Sequence, residues 1–239
     1  MVDSVTPATY ARPEGDNVNP EDAMTRTPPS SRRRQRWLAP TLLAVTVLAG
    51  VLVARELTPP QPPAYDGDAP EPAPDGYVQA RHSVLIAAPP DAVWAWANDP
   101  SLDLADVVDF DGGFPAVTAT QPLIGDWMPG RREGDRRRVG FEDGHYLAEQ
   151  VLVDSPETFR YMIWGFTSPQ RFVVRHGVAE FSYAAEGDGT RLTWTYSLLP
   201  TLPILRPAVQ GFVDGTMSPM MRATLAGMRD GAETTAAAG

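Results

Sequence analysis

The sequence has no cysteine, no lysine and only three histidines, His82, His145 and His176. Without cysteine there are no disulfides, no thiolate zinc site and no thiol nucleophile. The histidines lie far apart and form neither a His-x-His nor a His-Glu-x-x-His motif, so we expect no metal and no cofactor. Because lysine is absent, all 20 of the Lys and Arg residues are arginine, which we attribute to coding bias rather than to function.

Positive charge is also scarce, because the formal net charge is −10. A general nucleic-acid binder needs a surplus of positive charge on one face to neutralise phosphates, so we expect no nucleic-acid partner. The sequence contains neither a Gly-x-Ser-x-Gly nucleophile elbow nor a glycine-rich phosphate loop. It therefore shows no recognisable catalytic set, and an enzymatic role is less favoured than a binding role.

The N-terminal region contains one long uncharged run. Residues 1–36 mix Pro, Ser, Thr and acids without periodicity, which predicts a disordered cytoplasmic tail. Residues 37–54 form about 18 uncharged residues, enough for roughly 27 Å of helix, which just spans a hydrocarbon core. Four arginines precede this run against only Arg55 after it, so we predict a single-pass anchor in the cytoplasmic membrane with the C-terminal domain outside. The alternatives are a signal peptide cleaved after Ala54 and a buried core helix.

A proline-rich linker, residues 55–77, follows the uncharged run. At ~3.1 Å per residue it predicts an extended spacer that holds a domain up to ~60 Å from the bilayer. Residues 78–231 are long enough for one domain, and residues 232–239 are predicted to be a disordered tail.

Within the domain, periodicity predicts a strand, two short helices, a run of strands and one long helix. The first strand covers residues 78–87, and Pro89 and Pro90 end it where a helix begins. The predicted helices cover residues 91–97, 101–108 and 205–228, and the later strands cover residues 116–122, 136–141, 146–153, 158–166, 172–184 and 191–198. Short turns join these six strands, so we expect an antiparallel meander.

Three motifs in this order carry a family resemblance. They are Ile86-Ala87-Ala88-Pro89-Pro90-Asp91-Ala92-Val93-Trp94 with Asn98-Asp99-Pro100, Gly140-x-x-Asp143-Gly144, and Gly189-Thr190-Arg191-Leu192-Thr193-Trp194. With them the domain resembles the SRPBCC or START-like superfamily, which includes the polyketide cyclase/dehydrase and lipid transport families. The resemblance implies an α+β helix-grip fold, a curved antiparallel sheet around a long C-terminal helix, with a deep and largely apolar pocket.

Side-chain spacing predicts which residues line such a pocket. In the last strand Leu192, Trp194, Tyr196 and Leu198 share one face by the period of two. Helical spacing places Trp94 and Trp96 on different faces, and we expect Trp94 to point inward. The predicted ligand-binding residues are Trp94, Tyr161, Ile163, Trp194, Tyr196, Phe212, Met217, Met220 and Met221. Pro219 removes a backbone donor from the closing helix, which predicts a kink and suggests a gate.

Candidates for acid-base chemistry are limited to Glu149, His176 and Tyr161. Glu149 shares a strand face with apolar residues, and we expect its main role to be an internal salt bridge with an arginine of the adjacent strand. For the arginine-dense residues 131–138 we expect a solvated, self-paired face rather than an anionic headgroup site.

Three functions remain open at this stage. The leading prediction is a membrane-anchored domain that binds a hydrophobic small molecule or lipid without turnover, which a pocket lined only by apolar atoms would favour. The second is a cyclase/dehydrase enzyme, which a cavity of several hundred Å³ that reaches Glu149 and His176 would favour. The third is an interaction module whose core is filled. The oligomeric state and any protein partner are not predicted.

Overall fold

The structure, a computed structural model, describes residues 58, 60–102, 107, 113 and 115–238. The predicted cytoplasmic tail and the predicted membrane segment, residues 37–54, lie outside these residues, as does most of the predicted helix at residues 101–108. Among the helices of the described residues, none combines the length and the apolar character needed to cross a membrane.

Seven strands form one sheet in the order β1-β7-β6-β5-β4-β3-β2. Their bounds are β1 (Val78–Ile86), β2 (Val117–Ile124), β3 (Arg136–Phe141), β4 (Tyr146–Asp154), β5 (Thr158–Trp164), β6 (Val174–Glu186) and β7 (Gly189–Pro200). Every neighbouring pair is antiparallel. The meander from β2 to β7 returns beside β1, which confirms the predicted helix-grip fold.

The helices are α1 (Pro90–Ala97), α2 (Arg206–Phe212) and α3 (Ser218–Ala238), with 3-10 turns at Pro169–Phe172 and Pro203–Leu205. A π-helical turn, Val213–Met217, joins α2 to α3. Pro219 has no N–H for the carbonyl four residues before it, and this π turn directly precedes it. The irregularity therefore falls one turn earlier than the kink that we predicted at Pro219.

Helix α3 continues past residue 231, where we predicted a disordered tail to begin. Ala232 is buried, with 2% of its surface exposed. The Glu233 carboxylate accepts a hydrogen bond of 2.8 Å from the Ala87 backbone N–H, just before α1. Alanine also has the highest helix propensity. These contacts and the alanine-rich end extend the helix to Ala238.

Two apolar clusters pack on the concave face of the sheet. The larger one joins the closing helix to β1 and β7, with Ile86, Leu192 and Met221 fully buried. Each such side chain stabilises the fold by about 1.5–3 kcal/mol. The smaller cluster lies on β2 to β6 and includes Val139 and Ile163.

The first and last sequence motifs touch each other at the end of β1. The Thr190 hydroxyl donates a hydrogen bond of 2.7 Å to the Ala88 carbonyl, ahead of the two prolines that start α1. A Cβ on Gly189 would lie 2.4 Å from the Ile86 carbonyl oxygen, so only glycine fits this approach. The motif Gly-Thr therefore holds the strand-to-helix turn against β7.

The proline-rich segment docks in part on the sheet. We call residues 60–77 the strap. They form neither helix nor strand, but the Tyr65 hydroxyl donates to the Gly165 carbonyl (2.7 Å) and its ring meets Trp164 edge-on, with centroids 5.5 Å apart. Arg136 donates to the carbonyls of Tyr65 and Gly67.

Further contacts extend this docking. Arg138 donates to the Pro63 carbonyl at 2.6 Å. Arg136 and Arg138 alternate with Arg137, which faces the concave side, so the strap lies on the convex side. The sequence predicted a free spacer, but residues from Pro63 onward contact the domain. The cause is that an extended Pro-rich chain leaves its carbonyls unbonded, and the arginines of β3 satisfy them.

We expect Tyr65→Ala to release the strap from the sheet. The variant loses an aromatic contact and a hydrogen bond, each about 0.5–1.5 kcal/mol, so the strap should open about 5- to 150-fold more often. Limited proteolysis followed by mass spectrometry measures cleavage within residues 60–77. Asp66→Ala, an exposed neighbour, is the matched control and should cleave as the wild type does. Equal cleavage rates for all three proteins would contradict the docked strap.

Candidate functional site

A cavity of about 610 Å³ lies between the concave face of the sheet and α3. This volume is within the range of small-molecule sites, about 300–1,000 Å³. The wall is largely aromatic. The aromatic side chains that line it are Trp96, Trp127, Phe141, Phe159, Tyr161, Phe181, Tyr183, Trp194 and Tyr196. On the helix side Met220, Thr224 and Met228 complete it.

Strand register builds the aromatic wall in rows across the sheet. Tyr161 of β5 pairs with Ala179 of β6, which pairs with Tyr196 of β7. The small Ala179 side chain leaves room between the two tyrosine rings. The next row places Phe181 against Trp194, whose rings stack with centroids 4.7 Å apart. Cross-strand pairing therefore places several aromatic rings side by side along the wall.

Three tyrosine hydroxyls of the wall, on Tyr161, Tyr183 and Tyr196, make no hydrogen bond to any described residue. Burial raises the pKa of all three phenols well above the usual value, and the Glu149 charge raises the pKa of Tyr161 and Tyr196 further. They therefore stay protonated at neutral pH and are available as donors. Among the described residues, the buried indole Nε1 of Trp194 also lacks a partner. A ligand with oxygen atoms could accept hydrogen bonds from the three tyrosine hydroxyls.

An ion pair between Arg137 and Glu149 reaches the same cavity. The two residues are direct partners across β3 and β4, and Glu149 Oε2 lies 2.7 Å from Nε and 2.6 Å from Nη2 of Arg137. This is the internal salt bridge with an adjacent strand that we predicted for Glu149. Both contacts use Oε2, and Oε1 accepts no hydrogen bond from the described residues. One carboxylate oxygen is thus left for a ligand.

Trp127 covers the Arg137 guanidinium from the loop after β2. The Arg137 carbon Cζ lies 4.3 Å from the ring centroid, a cation–π contact. Trp127 has a positive φ of 57°, and its backbone N–H donates to Asp135 Oδ2 at 2.8 Å. A Cβ on Gly125, where φ is +79°, would overlap the same Asp135 carboxylate. Asp135 thus holds a strained loop at the cavity wall, a backbone feature typical of binding sites.

A second ion pair, Arg132 with Asp154, lies at another edge of the cavity. Asp154 accepts hydrogen bonds from Nε (3.0 Å), Nη2 (2.7 Å) and the backbone N–H (2.9 Å) of Arg132. Burial alone would raise the pKa of Asp154, but the hydrogen bonds and charge of Arg132 outweigh it, so this pKa lies below its usual value. The Arg132 guanidinium also stacks 4.4 Å from the Phe159 centroid.

The expectation of a solvated face at residues 131–138 is therefore wrong for part of this segment. Arg132 and Arg136 each expose only 6% of their surface, whereas the side chain of Arg131 is 70% exposed. The reason is that the partners lie on other elements: Asp154 for Arg132, and Gln150 with the strap carbonyls for Arg136. Sequence spacing within the segment does not reveal them.

The predicted site residues divide into three groups. Tyr161, Trp194, Tyr196, Met220 and Glu149 line the large cavity. Phe212 and Met217 line a separate cavity of about 50 Å³ that also touches Tyr196. Trp94, Ile163, Met221 and His176 line neither of these cavities.

The residues of the third group lie outside both cavities for identifiable reasons. Trp96, not Trp94, lines the large cavity, while Trp94 packs against the main core. Ile163 and Met221 are fully buried in the two clusters. His176 follows a register shift in β6, and its Nε2 lies 2.9 Å from the Tyr77 hydroxyl at the end of the strap. Burial, with the Arg175 charge, lowers its pKa.

Several cavity residues had not been predicted. Phe181 and Tyr183 share a face of β6 with Ala179, and their alternation is a signal that could have found them. Trp127 and Arg132 lie outside regular elements, and no periodicity marks them. Across the described ranges, no three His, Asp or Glu side chains come together as a metal site would need.

Comparison with known proteins identifies the fold family. The family model described as polyketide cyclase/dehydrase and lipid transport matches residues 77–233. The Zhui aromatase/cyclase from Streptomyces sp. R1128 is 18% identical, with 68% of this chain and 98% of that chain covered and a TM-score of 0.50. The di-domain ARO/CYC StfQ from the steffimycin biosynthetic pathway is 11% identical, with 67% of this chain and 52% of that chain covered and a TM-score of 0.50.

A third solved structure is norcoclaurine synthase from Thalictrum flavum in complex with dopamine and hydroxybenzaldehyde. It is 18% identical, with 63% of this chain and 87% of that chain covered and a TM-score of 0.47. A search of curated protein sequences finds no match. At these identities the two structures with a TM-score of 0.50 show a shared fold alone.

Proposed function

Because the chain belongs to the polyketide cyclase/dehydrase and lipid transport family, we propose that its cavity binds a flat, hydrophobic small molecule with oxygen substituents and holds it without turnover. The observation that carries this proposal is the set of three cavity hydroxyls, on Tyr161, Tyr183 and Tyr196, without a partner among the described residues. None of these hydroxyl oxygens is among the fully buried atoms that lack a partner, so each is accessible from the cavity. A hydrogen bond from one of them to a ligand oxygen contributes about 0.5–1.5 kcal/mol net.

The wall favours fused or linked rings over a simple acyl chain. Phe181 and Trp194, stacked on each other, place aromatic rings at the sheet side, and ring pairs gain about 0.5–1.5 kcal/mol beyond burial alone. Tyr196 meets Trp194 edge-on at 5.8 Å. An acyl chain would use the apolar area but neither the ring faces nor the hydroxyls.

We place this binding domain outside the cytoplasmic membrane, tethered by residues 37–54. The support is the uncharged run of the sequence and the arginines that precede it. A cysteine introduced at Asp66 should react with a membrane-impermeant thiol reagent on intact cells, since the chain has no other cysteine.

A second candidate, a cyclase/dehydrase enzyme, rests on Glu149 and Tyr161. The unpartnered Oε1 of Glu149 could take a proton from the carbon next to a ligand carbonyl. The protonated Tyr161 hydroxyl could then donate a hydrogen bond to the enolate oxygen that develops. Both side chains line the same cavity, so one bound molecule could contact both groups.

Native mass spectrometry of the protein from its original host tests the binding proposal. We expect a non-covalent adduct whose released small molecule absorbs in the near ultraviolet, as an aromatic compound does. Thr224→Phe, which adds a ring to the cavity wall, should lower the occupied fraction about tenfold or more. Thr234→Phe, exposed on the same helix, is the matched control. Protein that carries no small molecule would refute the proposal.

The same sample separates binding from catalysis. The released molecule is added back to the wild type and to Glu149→Gln, and its mass is followed with time. An unchanged mass with both proteins supports binding alone. Loss of one water from the molecule with the wild type, abolished in Glu149→Gln, would establish the enzyme instead.

A further inference from the structure

The most exposed large apolar side chains of the described chain meet at one end of the domain. They are Phe172, Leu202 and Ile204, with 56%, 58% and 82% of their surface exposed. Two neighbouring turns hold them together, because the Thr201 hydroxyl donates to the Phe172 carbonyl at 2.8 Å. We call these three residues the apolar tip. Contiguous exposed apolar groups usually mark a surface that meets a partner or a membrane.

The surroundings of the apolar tip carry positive charge in an acidic protein. Three arginines lie in the two segments that form it, Arg171, Arg175 and Arg206, and residues 165–179 and 199–213 contain no Asp or Glu. The formal net charge of the chain is −10, so these two segments oppose the overall charge. Asp143, between β3 and β4, is an acid at the same end, because it lines the 50 Å³ cavity together with Ser168. Apolar side chains flanked by arginine complement a bilayer surface of anionic lipids.

The strap enters the domain at the same end. Arg206 donates to the Gly76 carbonyl at 3.2 Å, and Tyr77 contacts His176 next to Arg175. Tyr65 contacts Gly165, which lies just beyond β5 on this side. Within the strap, the acid closest in sequence to the contact with Arg206 is Asp75, directly before Gly76.

The docked strap also shortens the tether. Residues 55–62 alone separate the uncharged run from Pro63, whose carbonyl contacts Arg138. A chain of this length spans at most about 30 Å, about half of the reach expected for a free spacer. With the proposed anchor in a bilayer, the strap keeps this end of the domain within reach of the lipid surface.

We propose that the apolar tip inserts into the surface of an anionic bilayer, with Arg175 and Arg206 beside the lipid phosphates. Phe172, Leu202 and Ile204 then bury apolar area in the interfacial region, and the arginines add attraction that depends on lipid charge. This surface lies outside the large cavity, so the inference is independent of the ligand proposed above.

Vesicle flotation of residues 58–239, without the uncharged run, tests the proposal. This piece is a suitable sample, because it contains every described strand and helix and the whole match to the family model, residues 77–233. We expect the piece to float with vesicles of phosphatidylcholine mixed with phosphatidylglycerol. Binding to phosphatidylcholine alone should be weaker, since this lipid has no net negative charge to attract the arginines.

Two sets of variants identify the surface. Phe172→Ser, Leu202→Ser and Ile204→Ser combined should lower partitioning at least about tenfold. Leu85→Ser with Ile124→Ser is the matched control, because each parent residue is 47% exposed elsewhere on the domain, and it should float as the wild type does. Arg175→Gln and Arg206→Gln should each weaken binding about fivefold, only on vesicles with phosphatidylglycerol.

Three results would overturn the proposal. One is a wild-type piece that floats with neither vesicle. Another is a combined serine variant, with an unchanged thermal midpoint, that floats as well as the wild type. The third is a wild-type dimer in analytical ultracentrifugation that the serine variant abolishes, since a second copy of the chain would then cover the apolar tip.

Discussion

Replacing Tyr161, Tyr183 and Tyr196 together by phenylalanine should weaken the binding of a hydroxylated anthraquinone about 100-fold. Each hydroxyl that donates to a ligand oxygen contributes about 1 kcal/mol net, and three such bonds give close to two powers of ten. Anthracene, which has the same ring shape without oxygen, should bind both proteins equally. Quenching of tryptophan fluorescence measures the two affinities, because Trp194 and Trp127 line the cavity.

The stability of this triple variant provides its internal control. The three hydroxyls have no hydrogen-bond partner among the described residues, so their removal should leave the thermal midpoint unchanged or raise it. Tyr77→Phe is the opposite case, since its hydroxyl contacts His176 and accepts from the Ala73 N–H outside the large cavity. It should lower stability and leave affinity unchanged. Wild-type anthraquinone affinity in the triple variant would show that the hydroxyls do not face the ligand.

Replacing Arg132 by methionine should destabilise the fold by about 3–5 kcal/mol at neutral pH. The Asp154 side chain is fully buried and the Arg132 side chain is 7% exposed, so the variant leaves a buried carboxylate without its cation. Urea denaturation measures the loss. Arg191→Met is the matched control, because its ion pair with Glu186 is exposed to water, and we expect no measurable change there.

The pH dependence of this loss tests its cause. In the wild type the pKa of Asp154 lies below its unfolded value, so its stabilisation is complete above about pH 4 and disappears as pH falls through the folded pKa. Without Arg132, burial dominates and raises that pKa above the unfolded value. The penalty is then largest at neutral pH and falls as acid protonates the carboxylate. A difference between the two proteins that stays constant from neutral pH to about pH 4 would contradict this account.

The sequence predicted which β7 side chains line the cavity, but not that the loop after β2 lines it too. Alternation with a period of two assigned Trp194 and Tyr196 to one face, because successive side chains of a strand point to opposite sides. Trp127 follows no such rule. Its position depends on a positive φ and on the Asp135 carboxylate that holds its backbone N–H.

For helix α1 as well, the sequence predicted one part of the arrangement and the packing decided the other. A helical pattern identifies which residues share a stripe, and it correctly separates Trp94 from Trp96. It does not say which stripe faces the cavity, and Trp96 rather than Trp94 lines it. The choice depends on the packing of α1 against α3, where Gly231 leaves space for the Trp96 ring: an added Cβ would lie 2.3 Å from that ring.

The sequence by itself determined the order of elements, the antiparallel meander and the presence of aromatic strand faces, because these depend on local periodicity and turn residues. The tertiary structure alone decided which charges are buried together and where the strap lies. Arg132 meets Asp154 across 22 positions of the chain, and Tyr65 meets Gly165 across 100. Contacts over such separations depend on how the sheet curves and closes, and no local pattern encodes that geometry.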